Sequence, residues 1–248
     1  MPKTGILTII VLLLLSGCTY WPRAEEWQEA TIKAASDPAT WAPVAGAAAI
    51  TLGDYDKKIS KWAREATPLC GSQEEAQEAS DRFHDYAQLG MAAAILAPHE
   101  NDTEYWLPTA QRAGVAVAGM ITTDNITGWM KEGSERERPN KRNNRSFPSG
   151  HTTMAFFSTG TANRHIDALP ISRTWRYSAK GVETTLAMAT AWSRVEAGMH
   201  YPSDVLAGAA VGNFIAIFLH ETFLEGNEVV RIATDAYGTP LFLLEKRF

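Results

Sequence analysis

The sequence has little of what several protein classes require. Only two cysteines, Cys18 and Cys70, stand in 248 residues, too few for a disulfide framework. There is no basic excess: 23 Lys and Arg face 28 Asp and Glu, for a formal charge of −5. General nucleic-acid binding is therefore not expected, because nothing is left over to neutralise phosphates. Neither an HExxH pattern nor a paired-cysteine zinc pattern occurs, so metal-dependent hydrolysis lacks its ligands. There is no internal repeat and no low-complexity tract. Beyond the first 17 residues the longest apolar run is Val205–Leu219, interrupted by Asn213. At about 1.5 Å per residue it reaches about 22 Å, short of a bilayer core of about 30 Å. It predicts the central buried helix of a soluble bundle, and a mean hydropathy of −0.19 argues against a polytopic membrane protein.

What is present is an ordinary globular composition, 45% apolar and 21% charged, long enough for one large domain or two small ones. The average hides a sharply different N-terminus. Lys3 is followed by an uncharged apolar stretch, residues 5–17, which has the form of a secretory signal rather than a spanning helix. Its end, Leu15-Ser16-Gly17-Cys18, resembles a bacterial lipobox, in which cleavage leaves Cys18 as a lipid-carrying N-terminus. A plain signal peptide cleaved nearby and an uncleaved anchor are the competing readings. Removal of 17 residues and Lys3 would leave 231 residues at net charge −6. Thr19 after the cysteine, by resemblance to Gram-negative lipoproteins, implies the outer membrane facing the periplasm if the cell is Gram-negative. Cys70 would then have no intramolecular partner, and reads as an inert thiol.

Residues 18–40 are polar, contain Pro22 and Pro38, and read as a tether with room for one short helix. From Trp41 onward the pattern is Ala-rich and helical, predicting an all-α compact bundle over residues 41–225. Its helices are expected at roughly 41–65, 75–97, 103–130, 149–164, 174–197 and 203–224, separated by Pro- and Gly-containing breaks. Two glycines within Ala113–Ile121 leave a small face suited to close helix packing. Residues 226–248 change character and form a C-terminal extension. Two apolar runs there flank Gly238-Thr239-Pro240, as in a small hairpin or an extended tail.

Three segments carry residues whose types suit one chemical task. The first runs from Lys131 to Arg138-Pro139, inside a stretch (131–145) with six basic residues against three glutamates. Such a run is ordinarily a solvated face. The second is Pro148-Ser149-Gly150-His151, leading into a helical pattern. It would place the N–H groups of Ser149, Gly150 and His151 at a helix start, where an anion is welcome. Simple N-capping by Ser149 explains the same tripeptide. The third is Ser193-Arg194, then His200, then Asp204. Pro202 sets His200 at a helix end or turn and Asp204 in the first turn of the next helix. A carboxylate there can take the imidazole Nδ1–H and leave Nε2 free to attack. The bland reading makes Ser203 or Asp204 a cap and His200 a dipole partner.

Together the segments resemble the type 2 phosphatidic acid phosphatase superfamily, which includes bacterial acid phosphatases and vanadium haloperoxidases. The family pattern K-x6-RP, PSGH and SR-x5-H-x3-D is matched in order by Lys131, Arg138 and Pro139; by Pro148, Ser149, Gly150 and His151; and by Ser193, Arg194, His200 and Asp204. The resemblance covers about residues 125–220. It implies His200 as the nucleophile forming a phosphohistidine, Asp204 orienting it, and His151 as the general acid and then base. It implies that Lys131, Arg138, Ser149, Gly150 and Arg194 hold the phosphate oxygens, with no metal and no cofactor.

The expected activity is hydrolysis of phosphomonoesters or pyrophosphates, of a phosphorylated lipid or a small soluble ester, near a membrane reached through Cys18. The same pocket could hold vanadate in a haloperoxidase, or persist in a non-catalytic envelope lipoprotein. A serine hydrolase is excluded because Ser149 lies in PSGH and not GxSxG. His84, His99, His165 and His220 carry no motif. Trp106, Trp129 and Trp192 read as core residues, although Trp129 and Tyr201 are also candidates to line the pocket.

Overall fold

A computed structural model describes residues 22–99, 106–224, 228–234 and 240–246. Eight helices and one hairpin occur among them. The helices are α1 (Ala24–Ser36), α2 (Pro38–Leu52), α3 (Asp56–Ala66), α4 (Gln73–Leu96), α5 (Trp106–Ser134), α6 (Gly150–Asp167), α7 (Arg173–Glu196) and α8 (Pro202–Phe223). Strands β1 (Glu228–Thr234) and β2 (Pro240–Lys246) pair antiparallel, with Glu228 opposite Lys246. The C-terminal extension thus takes the hairpin form. Residues 1–21, with the expected signal and Cys18, lie outside the described residues.

Helix starts follow side-chain chemistry. Ser72 accepts from the Glu75 N–H at 3.1 Å and Asp37 from the Ala39 N–H at 2.8 Å, each satisfying an otherwise orphaned donor. The helix expected over 41–65 is two helices. It breaks at Gly53-Asp54, where Asp54 takes a left-handed φ of 54°. Aspartate tolerates that conformation better than most residues, and periodicity does not report it.

The expected tether is also different. From Ala24 it is helix, and α1 packs on α8 through Trp27, whose ring lies 5.4 Å from Phe218 and 5.5 Å from Phe223. Ala30 and Ala34 are buried. The polar residues of α1 face outward, so composition alone made an amphipathic helix look like a linker.

The apolar segment 205–219 lies in α8, at the centre. Helix α8 packs on α6 most extensively, then on α2 and α1, with α5, α7 and α3 completing its surroundings. It is the one described helix long and apolar enough to cross a membrane, and 67% of its most apolar window is buried by its neighbours. Close approach of α6 and α8 needs glycine. A Cβ on Gly212 would stand 2.2 Å from the Thr153 carbonyl oxygen, and one on Gly208 2.8 Å from that of Ser149. Gly119 of α5 likewise seats the Phe157 ring, where a Cβ would lie 2.3 Å away. Phe157, Ile166, Met91, Ile95 and Ile215 form the main core. This packing sets the N-termini of α6 and α8 beside the C-terminal ends of α5 and α7, which brings the three motif segments together.

Candidate active site

His200 sits in the turn between α7 and α8 and is 1% exposed. Its Nδ1 lies 2.6 Å from the Ser146 carbonyl oxygen. A carbonyl can only accept, so Nδ1 carries the proton and Nε2 presents a lone pair. Burial first, then the positive charges of Arg194, Arg138 and Lys131, push the imidazole pKa well below its ordinary value. The ring is therefore neutral at pH 7, and three motif cations converge on it.

Asp204 occupies the first turn of α8, as expected, but does not take the His200 proton directly. Its Oδ2 accepts from the Ser146 hydroxyl at 2.6 Å and from the Tyr201 N–H at 2.8 Å. Its Oδ1 accepts from Arg136 at 2.5 Å. Ser146 is the link between the two: its side chain binds the carboxylate and its carbonyl fixes the imidazole. Burial raises the Asp204 pKa, while the Ser146 hydroxyl and Arg136 pull it down. Arg136 also donates to Ser203 Oγ at 2.8 Å and to Asp56 Oδ2 at 2.7 Å, and lies 4.4 Å over the Tyr201 ring. Asp56 in turn accepts from the Ser203 N–H at 2.9 Å. This ionic brace pins α3, the 134–149 loop and α8 together.

The phosphate-binding candidates divide. Lys131, in the last turn of α5, donates to the Pro148 carbonyl, and a Cβ on Gly150 would lie 3.4 Å from its Nζ. Burial, then repulsion from Arg138 and Arg145, lowers its pKa to about 8. Arg138 reaches Met199 Sδ at 3.4 Å, and burial and Arg145 lower its pKa. Arg194 is buried in the last turn of α7 and donates to Ser80 Oγ at 3.0 Å. Burial lowers its pKa to about 10.

Ser149 differs from expectation. Its N–H is spent on the Asp204 carbonyl at 3.1 Å, and its Oγ accepts from Thr152 at 2.9 Å. It is completely buried, so its N–H is not a free donor at the helix start. Gly150 and His151 remain the first two residues of α6.

His151 is half exposed, with Nε2 3.0 Å from Asp81 Oδ1 and its ring 5.0 Å from that of His84. Burial first, then Arg194 and His84, depresses its pKa to about 4, against a pull upward from Asp81. Asp81 also lies 3.5 Å from Arg194. Ser80, Asp81 and His84 all come from α4, and nothing in their sequence surroundings marks them. Ser146 and Asp56 were equally unmarked, and Arg136 was visible only as one charge in a basic run.

Of the aromatic candidates, Tyr201 lies under Arg136, and Trp129 is 54% exposed and so not core. Trp192 packs on Trp62 and donates to the buried Glu196. Glu196 also accepts from the Cys70 N–H at 3.0 Å, and burial raises the Cys70 thiol pKa.

Residues 121–227 match the family described as the PAP2 superfamily, and this segment contains all three motifs. The match supports phosphatase chemistry at the coarse level. Among solved structures, the chain is similar to one described as the first transmembrane PAP2 type phosphatidylglycerolphosphate phosphatase from Bacillus subtilis. The TM-score is 0.54 at 20% identity, over 73% of this chain and 92% of that one. That likeness establishes a shared helical fold. No curated protein matches the chain. Ser80, Asp81 and His84 fall outside the matched PAP2 segment, so α4 adds to the site beyond it.

Proposed function

We propose that this protein hydrolyses phosphomonoesters or pyrophosphates, with lipid-linked substrates favoured, through a phosphohistidine on His200. The observation that carries this reading is a buried, neutral imidazole with Nδ1–H tied to the Ser146 carbonyl and Lys131, Arg138 and Arg194 around it. A nucleophile facing a phosphate must be uncharged and oriented, while the oxygens need fixed cations.

In the first step, His200 Nε2 bonds to phosphorus and the ester P–O bond breaks. The leaving oxygen takes a proton from His151. In the second, His151 removes a proton from water, whose oxygen displaces His200 and releases phosphate. His151 is neutral in the free site, and a phosphate carrying about −1.5 to −2 charge raises its pKa as it binds. The proton thus arrives with the substrate. Asp204 acts through Ser146 as a positioning residue, and Asp81 orients His151 from the outer side. Gly150 leaves room for the Lys131 ammonium beside the start of α6.

The lipid preference rests on the N-terminal reading: cleavage after residue 17, acylation of Cys18 and anchorage at the cell envelope would hold the domain against its substrates. The test is phosphate release from lipid phosphates, lipid pyrophosphates and p-nitrophenyl phosphate. Wild-type turnover lost in His200→Ala is expected. Near wild-type activity of that variant would overturn the assignment, as would peroxide- and vanadate-dependent halide oxidation without phosphate release.

A further inference from the structure

Helix α2 has two unlike faces. One is tied to α8: Thr40 is buried, Asn213 Nδ2 donates to the Ala39 carbonyl at 2.8 Å, and Gly46 faces Leu206. The opposite face carries Trp41, Val44, Ala45, Ala48 and Leu52, spaced three and four apart so that they form one stripe. Trp41 and Val44 are each 52% exposed and Leu52 is 89% exposed. No charged residue occurs anywhere from Pro38 to Leu52.

At the end of this stripe the chemistry changes within a few residues. Tyr55 is half exposed, with the Lys58 ammonium 5.5 Å from its ring centre, and Lys57 and Lys61 are exposed beside it. Asp54 is the exposed acid in this turn, since Asp56 is buried in its ion pair with Arg136. An apolar stripe, a bordering aromatic and a cluster of lysines is the arrangement that suits a helix lying in the plane of an anionic bilayer surface.

We propose that α2 is a membrane-docking element, its stripe seated in the interfacial region of a bilayer containing anionic phospholipid and its lysine end on the headgroups. Two observations favour a bilayer over a second copy of the chain. The stripe is about 17 Å long and about 10 Å wide, on the order of 200 Å², against the roughly 800 Å² per partner of a stable protein interface. Further, α2 is joined to α1 by Asp37 alone, and α1 begins six residues after Cys18. A lipid there would keep this helix pair close to the surface and make the stripe a second point of contact. One lipid chain alone holds a protein only weakly, so a second contact has a purpose. The proposal is independent of the hydrolytic chemistry.

The experiment uses the full-length chain with the Cys18 thiol blocked by its lipid, carrying Cys70→Ser and a nitroxide at Ala45→Cys, Ala48→Cys or, at an exposed position of α7, Thr185→Cys. Collision with a water-soluble nickel chelate and with oxygen is measured with and without vesicles of phosphatidylglycerol and phosphatidylcholine. Vesicles should lower nickel access several-fold at 45 and 48, raise oxygen access there, and leave 185 unchanged. Adding Leu52→Glu, a change at an almost fully exposed position, should restore nickel access at 48. Equal access at all three positions would overturn the proposal, even if the protein remains anchored. So would protection at 45 and 48 without vesicles that grows with protein concentration, which would assign the stripe to a second copy. Hydrolysis of p-nitrophenyl phosphate by the same samples reports separately on the phosphatase reading.

Discussion

Glu183 offers a direct measurement of what a buried, unpaired carboxyl does to this bundle. It lies on α7, 6% exposed, with its carboxyl over Gly90 of α4, where a Cβ would stand 1.6 Å from Oε1. Among the described residues no cation pairs with it. The Thr159 hydroxyl bonds mainly to its backbone carbonyl at 3.0 Å and stands 3.5 Å from Oε2. Burial raises its pKa from 4.5 to about 7, against a small opposing effect of Thr159. Between those values the folded protein binds a proton that the unfolded chain does not. Stability therefore falls as pH rises from about 4.5 and levels off above about 7. At about 1.4 kcal/mol per pH unit the full penalty is about 3 kcal/mol, and partial solvent screening reduces it to about 1–2 kcal/mol. Glu183→Gln keeps the shape and removes the charge. Urea unfolding at pH 8.5 should show the variant more stable by that amount, with a gain of roughly 2–8 °C in melting temperature. At pH 5 most of the difference should be gone. A gap that does not change with pH would refute the reasoning, as would a less stable variant at pH 8.5.

Three further outcomes are expected. Lys131 loses its charge above about pH 8, so kcat/KM for a soluble phosphomonoester should fall through that pH. Lys131→Arg should move the limb upward, and an unmoved limb would exclude Lys131 as its origin. Asp81 sits 3.0 Å from His151 and 3.5 Å from Arg194, so its carboxylate competes with a phosphate anion for both. Asp81→Asn should strengthen inhibition by inorganic phosphate by ~5-fold at neutral pH, about the strength of one partly exposed charge pair; unchanged or weaker inhibition would contradict this. Gly212→Ala should cost about 1–3 kcal/mol in urea unfolding by forcing α6 from α8, whereas Gly128→Ala, with open space around it, should cost nothing. Equal effects of the two would show that α6 and α8 can part freely.

The motif residues were legible because phosphate chemistry restricts residue type and spacing together. Lys131, His151, Arg194 and Asp204 lie in the end turns of α5 to α8, with Arg138 in the 134–149 loop and His200 in the turn before α8. What was not legible depends on the third dimension. Ser146 interposes between His200 and Asp204 because the 134–149 loop is bonded to the α7–α8 turn and to the start of α8, through Asn140 N–H on the Gly198 carbonyl and Ser149 N–H on that of Asp204, and no serine in a loop advertises that. Asp81 and His84 reach the site because α4 packs beside α6 and α7, although their sequence is simply polar helix. The break at Gly53-Asp54 and the docking of α1 escaped for a related reason. Both are decided by one backbone angle or one aromatic contact, Trp27 on Phe218 and Phe223, and not by composition.

The Ser146 carbonyl that fixes the His200 tautomer belongs to the main chain. It has no proton to gain in acid and no side chain to lose by substitution. Ser146→Ala would remove one of the hydrogen bonds to Asp204 and leave the carbonyl at its place beside the imidazole. A carboxylate in that position would stop accepting as pH fell, but the carbonyl accepts from Nδ1 whether the imidazole is neutral or protonated. This one bond is thus insulated from pH, and an acid limb in the reaction would arise from protonation of the imidazole Nε2 or of Asp204 behind Ser146.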